Sequence, residues 1–316
     1  MALIDGARNV LKNCLDIKKR EKLLIITDTE KEKIAEVFFE SAQEMGADVL
    51  SLMMPVLGRD GVEPPDCVAR MMLDMDAIII MTKHSMTHTA ARRNANRKAR
   101  IVSMPDVPAE SVSSGGITAN YLEVRKLIDI LKEKFVRRKE VRIVSEKGTE
   151  IVMRFTKYRW IDKDDGLCRN RGDFTTLPAG EFFAAPDEKT ANGKLVVDGS
   201  FGKLLQEPVT LTVKDGFVES ASNGDILKAM DAYGKAGRNI AEFGIGVNKS
   251  AKLMGHPLED NKVYGTVHIG FGDNSRYGGK IKCGYHAHGV ILKPTVFVDG
   301  EIVVENGEIK VESRKK

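Results

Sequence analysis

Four apolar runs in the first third of the chain limit its fold more than any other feature. They are Leu23–Thr27, Asp48–Met53, Asp76–Thr82 and Arg100–Met104. Their apolar residues are largely consecutive rather than alternating, as in strands covered on both faces. Helical patterns separate them. Ile4, Ala7, Val10, Leu11, Cys14 and Leu15 recur at helical spacing, as do Ile34, Val37, Phe38 and Ala42. Thr29 and Glu32 have the spacing of a capping box, Gly46 closes that helix, and Pro64-Pro65 opens another. A further helix is expected over 86–98. The order predicts an α/β fold whose N-terminal part is a three-layer, Rossmann-like domain with a parallel sheet.

The pattern changes after the amphipathic helix Tyr121–Phe135 and the charged run Lys132–Arg142. Strand-like segments follow at 141–145, 150–155, 194–198, 209–213 and 216–220. Asp215-Gly216, Asp299-Gly300 and Asn306-Gly307 read as tight hairpin turns, and one helix is expected over 225–235. The expected division is therefore an α/β domain over 1–135 and a β-rich α+β domain over 136–316.

Several function classes are disfavoured. A net charge of +4 without a basic stripe and interleaved aromatics argues against nucleic acid. No apolar segment is long enough to span a bilayer. The N-terminus carries Asp5 and lacks an apolar core, which argues against a signal peptide. Cys14, Cys67, Cys168 and Cys283 are far apart and suit a reducing compartment, so a cytoplasmic protein is expected. The first strand is followed by Asp28-Thr29-Glu30-Lys31 rather than a glycine fingerprint, and no phosphate loop occurs, which disfavours nucleotides.

The chemistry concentrates at Gly265–Ile291, which holds His268, His286 and His288, half of the six histidines. His286 and His288 are two apart in a strand-like run, so both imidazoles share one face. His268 lies in a second strand-like run that a glycine-rich connection can bring alongside. Converging imidazoles suit a divalent transition metal, although a single strand histidine is more often a core residue. Glu181 and Glu242 each stand in an apolar, glycine-flanked run where an unpaired carboxylate is costly. The glycines of Gly244-Ile-Gly246 and Gly270-Phe-Gly272 read as devices for close backbone paths. His84 and His88 are four apart but lack HExxH, and a basic, solvated helix face is the favoured reading there. Cys283 reads as a bystander.

Asn170–Pro186, Glu242–Asn248, Gly265–Val290, Ser85–His88 and Ser103–Pro105 together resemble the aminopeptidase T / aminopeptidase S metallopeptidases and their relative, 2,5-dihydroxypyridine 5,6-dioxygenase. The resemblance implies a C-terminal metal-site domain, a homodimer, and, in the peptidases, two metals held by two glutamates, two histidines and a His-x-Asp aspartate. Glu181, Glu242, His268 and His286 match that set; His288 stands at the aspartate position. A neutral imidazole neither adds negative charge nor bridges cations, so the change weakens a two-metal site more than a one-metal site. Three readings follow. The first is a Zn, Co or Mn hydrolase cleaving an N-terminal peptide or amide bond, with Glu181 and Glu242 as base, ligand or bridge. The second is a mononuclear Fe(II) ring-cleaving dioxygenase acting on a small molecule. The third is a non-catalytic metal-binding protein. Retention of both glutamates favours the hydrolase.

Overall fold

The computed structural model describes residues 3–311 and divides into two compact units. The first comprises Met1–Leu122 and Asp164–Ala179. Its parallel sheet has the order Asp48–Met54, Lys22–Asp28, Ala77–Met81, Arg100–Ser103, Phe174–Thr176. Leu24, Ile26, Ile78, Ile80 and Ile101 pack beneath Val68 and Met72 of one helix and Ala91 and Ala95 of the next. The alternate residues Leu23, Ile25, Ile79 and Val102 are equally buried. Both faces of these central strands are thus covered, as their consecutive apolar runs require, whereas the edge strand Asp48–Met54 departs from that expectation, with Leu50 50% and Met53 51% exposed.

Three details differ from the sequence reading. The unit does not end at residue 135, because 164–179 returns to supply the fifth strand and Glu123–Lys163 belongs to the second unit. The Thr29–Glu32 capping box does not form; the helix begins at Glu32, with Lys31 at its cap. The helix expected over 86–98 is only Ala90–Ala95, because Thr89 takes the cap and accepts from the Arg92 amide at 3.2 Å. His84 and His88 lie in the segment before it. His84 Nδ1 is 3.4 Å from Asp60 Oδ1, and the His88 carbonyl accepts from Arg93.

The second unit, Glu123–Lys163 with Gly180–Lys316, carries two β-sheets. One is an eight-stranded antiparallel sheet running from Phe217–Ala221 at one edge to Glu308–Ile309 at the other. Its three two-residue hairpins are those expected: Asp215, Asp299 and Asn306 have φ of 48°, each followed by a glycine with positive φ. The other sheet orders His286–Ile291, Val267–Gly272, Ile240–Gly246, Glu181–Ala184 and Ile161–Asp164. Alternation sends Phe182 and Phe243 to one face, where they pack with Phe135, Phe155 and Trp160. Glu181 and Glu242 then face the opposite way. Among the described residues, no helix is long and apolar enough to cross a membrane.

Candidate metal centre

The antiparallel registers align functional side chains with glycines. Glu242 is level with Gly270, and Gly270 with His288; Gly244 is level with Phe183 and His268; Gly246 is level with Glu181. The glycines make room for their neighbours. A Cβ at Gly244 would lie 2.2 Å from Cε1 and Nε2 of His268. A Cβ at Gly270 would lie 2.6 Å from Glu242 Cβ and 3.2 Å from His286 Cε1. A register shift between Ile240 and Glu242 marks a bulge immediately before the glutamate, a common way to aim a side chain.

Glu242 is the hub. One oxygen, Oε1, is 3.1 Å from His268 Nε2; the other, Oε2, is 3.3 Å from His286 Nε2 and 3.4 Å from His288 Nε2. Burial pushes the Glu242 carboxyl up, but His288, His268 and His286 outweigh it and hold the group well below the usual carboxylate range. Burial lowers His286, yet Glu242 and the Asp273 carbonyl, 2.9 Å from its Nδ1, leave it raised. For His288 burial prevails and its pKa is lowered.

Two residues that the sequence reading did not single out complete the setting. Lys262 Nζ lies 2.5 Å from Glu181 Oε1, with both side chains almost inaccessible. Tyr277 Oη is 3.4 Å from His286 Nε2, and its ring meets Phe183 edge-on at 5.4 Å. Burial, then the charges of Glu242 and Glu181, push the Tyr277 phenol well above its ordinary value. Lys262 lies in the polar run Glu259-Asp260-Asn261-Lys262, all four residues of which are buried. Tyr277 sits in a glycine-rich connection whose path no periodicity reveals. Cys283 serves the same loop: its amide donates to Asp273 Oδ2 at 2.9 Å.

All five expected residues meet on this face. Among the described residues, the donor groups tight enough for one ion are Glu242–His286–His288 and Glu181–Glu242–His268. A three-imidazole site is not among them, because Glu242 stands between His268 and the histidine pair. The donors fit a divalent metal. Imidazole nitrogens and carboxylate oxygens converge on Glu242, the mixed donor set that suits a divalent transition metal.

A family model described as NicX, 2,5-dihydroxypyridine 5,6-dioxygenase, matches residues 2–311. Among solved structures, 2,5-dihydroxypyridine dioxygenase from Pseudomonas putida KT2440 is similar with a TM-score of 0.80 at 17% identity, over 99% of this chain and 98% of that one. Wild-type AmpT from Thermus thermophilus is similar with a TM-score of 0.68 at 15% identity, over 97% and 98% of the two chains. These two likenesses establish the fold. No curated protein matches the chain.

Proposed function

We propose that this chain, which belongs to the 2,5-dihydroxypyridine 5,6-dioxygenase family, is an Fe(II)-dependent dioxygenase that opens a hydroxylated nitrogen heteroaromatic ring such as 2,5-dihydroxypyridine. The convergence of Glu242, His286 and His288 carries the reading. Two imidazoles and one carboxylate are the donor set of mononuclear non-haem iron oxygenases. His288, which weakens a peptidase site, here supplies the second imidazole. The family match also supports the oxygenase reading over the metallopeptidase that the two glutamates favour.

Glu242, His286 and His288 would hold the iron, which supplies the redox chemistry joining dioxygen to the ring. The surrounding residues prepare the place. Three imidazoles keep Glu242 ionised, so it acts as an anionic donor rather than an acid. His268 holds the other oxygen of Glu242 and fixes its orientation. The raised phenol of Tyr277 stays protonated through neutral pH and can donate to an oxygen of the substrate. Phe183 and Tyr277 offer aromatic surface to a flat ring. The three proposed ligands come from one chain, so the proposal needs no partner subunit; the implied homodimer is a matter for sedimentation.

The test is oxygen uptake by iron-loaded protein. One dioxygen should disappear per 2,5-dihydroxypyridine lost, with both oxygen atoms in the opened product. Dipeptides and amino-acid amides should be untouched. Fully iron-loaded protein that takes up no oxygen, while its zinc form releases amino acids, would reverse the assignment.

A further inference from the structure

We infer that Lys262 sets the nuclearity of this centre: its ammonium holds the charge position of a second divalent ion and confines the chain to one metal ion, in the Glu242–His286–His288 cluster. This rests on the cluster assignment proposed above, but not on the reaction.

Donor geometry alone would admit two ions. The two groups share Glu242, which turns one oxygen toward His268 and the other toward His286 and His288, as a bridging carboxylate does. Charge decides between one ion and two. Glu181 and Glu242 bring two negative charges, Lys262 brings one positive charge, and ligating imidazoles are neutral, so the set carries one net negative charge. One divalent ion leaves a single positive charge. Two leave three, beside a His268 that is 0% exposed and a Lys262 side chain that is 5% exposed. Water cannot screen that excess, and repulsion between like charges is steep where the dielectric is low.

The lysine is also built in. Its amide donates to the Glu259 carbonyl at 3.0 Å, and its carbonyl accepts from the Asn248 amide at 2.9 Å. The following residue packs onto Gly246, where a Cβ would meet the Val263 carbonyl oxygen at 2.1 Å. Gly246 is level with Glu181 in the sheet, so the contact that seats the lysine backbone also brings its ammonium to that carboxylate. The two clusters differ accordingly. His286 and His288 are 24% and 15% exposed on an edge strand, where an ion can enter, whereas the Glu181–His268 side is closed and already neutralised by Lys262.

Metal-free protein titrated anaerobically with Co(II), followed by calorimetry, visible absorption and elemental analysis after dialysis, tests this. The wild type should take up one ion per chain. Lys262→Met should raise the ratio toward two and introduce magnetic coupling between the ions, while Lys262→Arg should hold it at one. Thermal melts establish that each variant is folded. Two ions in the wild type, or one in folded Lys262→Met, overturns the inference. Should Lys262→Met not fold, the double variant Glu181→Gln/Lys262→Met removes the pair together. It should keep one ion with Kd within about threefold of wild type, and loss of that ion also overturns the inference. A ratio of one without oxygen uptake refutes only the proposed reaction; a ratio of two with oxygen uptake refutes only the role of Lys262.

Discussion

Gly244→Ala is the sharpest probe of how the sheet builds the site. The added methyl would lie 2.2 Å from two atoms of the His268 ring and 3.0 Å from Phe183 Cβ. His268 is fully buried, so the ring must swing or the strands must part. Overpacking of this kind costs about 1–3 kcal/mol. Each kcal/mol lowers Tm by about 2–4 °C in a domain of this size. The second effect separates site damage from packing damage. His268 Nε2 holds Glu242 Oε1 at 3.1 Å, and losing such an outer partner typically weakens metal binding about 10–100-fold. At a metal concentration of about 100 Kd the wild type gains about 2.7 kcal/mol; the variant at the same concentration should gain only about 0.4–1.4 kcal/mol. The assay is a pair of melts, metal-free and metal-loaded. Gly224→Ala is the control, since nothing lies within 4 Å of its Cβ and its helix should be slightly stabilised. A metal-free Tm equal to wild type would refute the steric reasoning. A lowered Tm with the full metal gain would refute the role given to His268.

Other outcomes follow from the same geometry. His286 has a raised pKa, so its proton persists above the ordinary histidine value of about 6.5 and competes with the metal there; metal affinity should already weaken as pH falls toward that value, and an affinity independent of pH would count against His286 as a ligand. Asp273 is pushed up by burial but held down, to about 2, by Ser275 and by the amides of Cys283, Ser275 and Gly284. A depressed carboxylate contributes stability above its unfolded value of about 3.9 and loses it as pH falls toward 2. Protection factors of the amides in 273–285, corrected for the intrinsic exchange rate at each pH, should therefore fall in acid, and Asp273→Ala should show that loss of protection already at neutral pH. Phe182→Ala removes a ring stacked on Trp160 at 4.9 Å and should cost about 3–5 kcal/mol. Trp160 is the single tryptophan, so its emission should shift to the red, and an unshifted spectrum would count against the aromatic anchor behind Glu181.

The central strands of the parallel sheet were legible because a strand covered on both faces needs consecutive apolar residues, which 23–26, 77–81 and 101–102 supply; 48–54 has a similar run but is a largely exposed edge strand. The hairpins were legible because few sequences other than Asp-Gly and Asn-Gly accept two consecutive positive φ values. The fifth strand, Phe174–Thr176, was not. Three residues with two threonines carry no period, and only tertiary pairing with Ile101–Ser103 makes them a strand. Thr29 failed as a cap for a related reason: local spacing allows the box, but the chain turns through Lys31 before the helix starts at Glu32.

At the site, residue type was readable and division of labour was not. Same-face spacing identified His286 and His288, and apolar, glycine-flanked settings identified Glu181 and Glu242. The glycines of Gly244-Ile-Gly246 and Gly270-Phe-Gly272 were legible as places of close approach, but what approaches them depends on register. Only the alignment of four strands shows that Gly244 clears the ring of His268 and Gly270 clears Glu242. Lys262 was hidden for the opposite reason. A lysine in a run of charged residues carries no sign that it is buried, and its meaning depends on a carboxylate 81 positions earlier. That pair changes the sense of His288. Beside a free Glu181, an imidazole at the aspartate position is a defect in a two-metal site. With Glu181 paired to Lys262, the same imidazole lies with His286 and Glu242 close enough to hold one ion, which is the arrangement the proposed one-metal reading rests on.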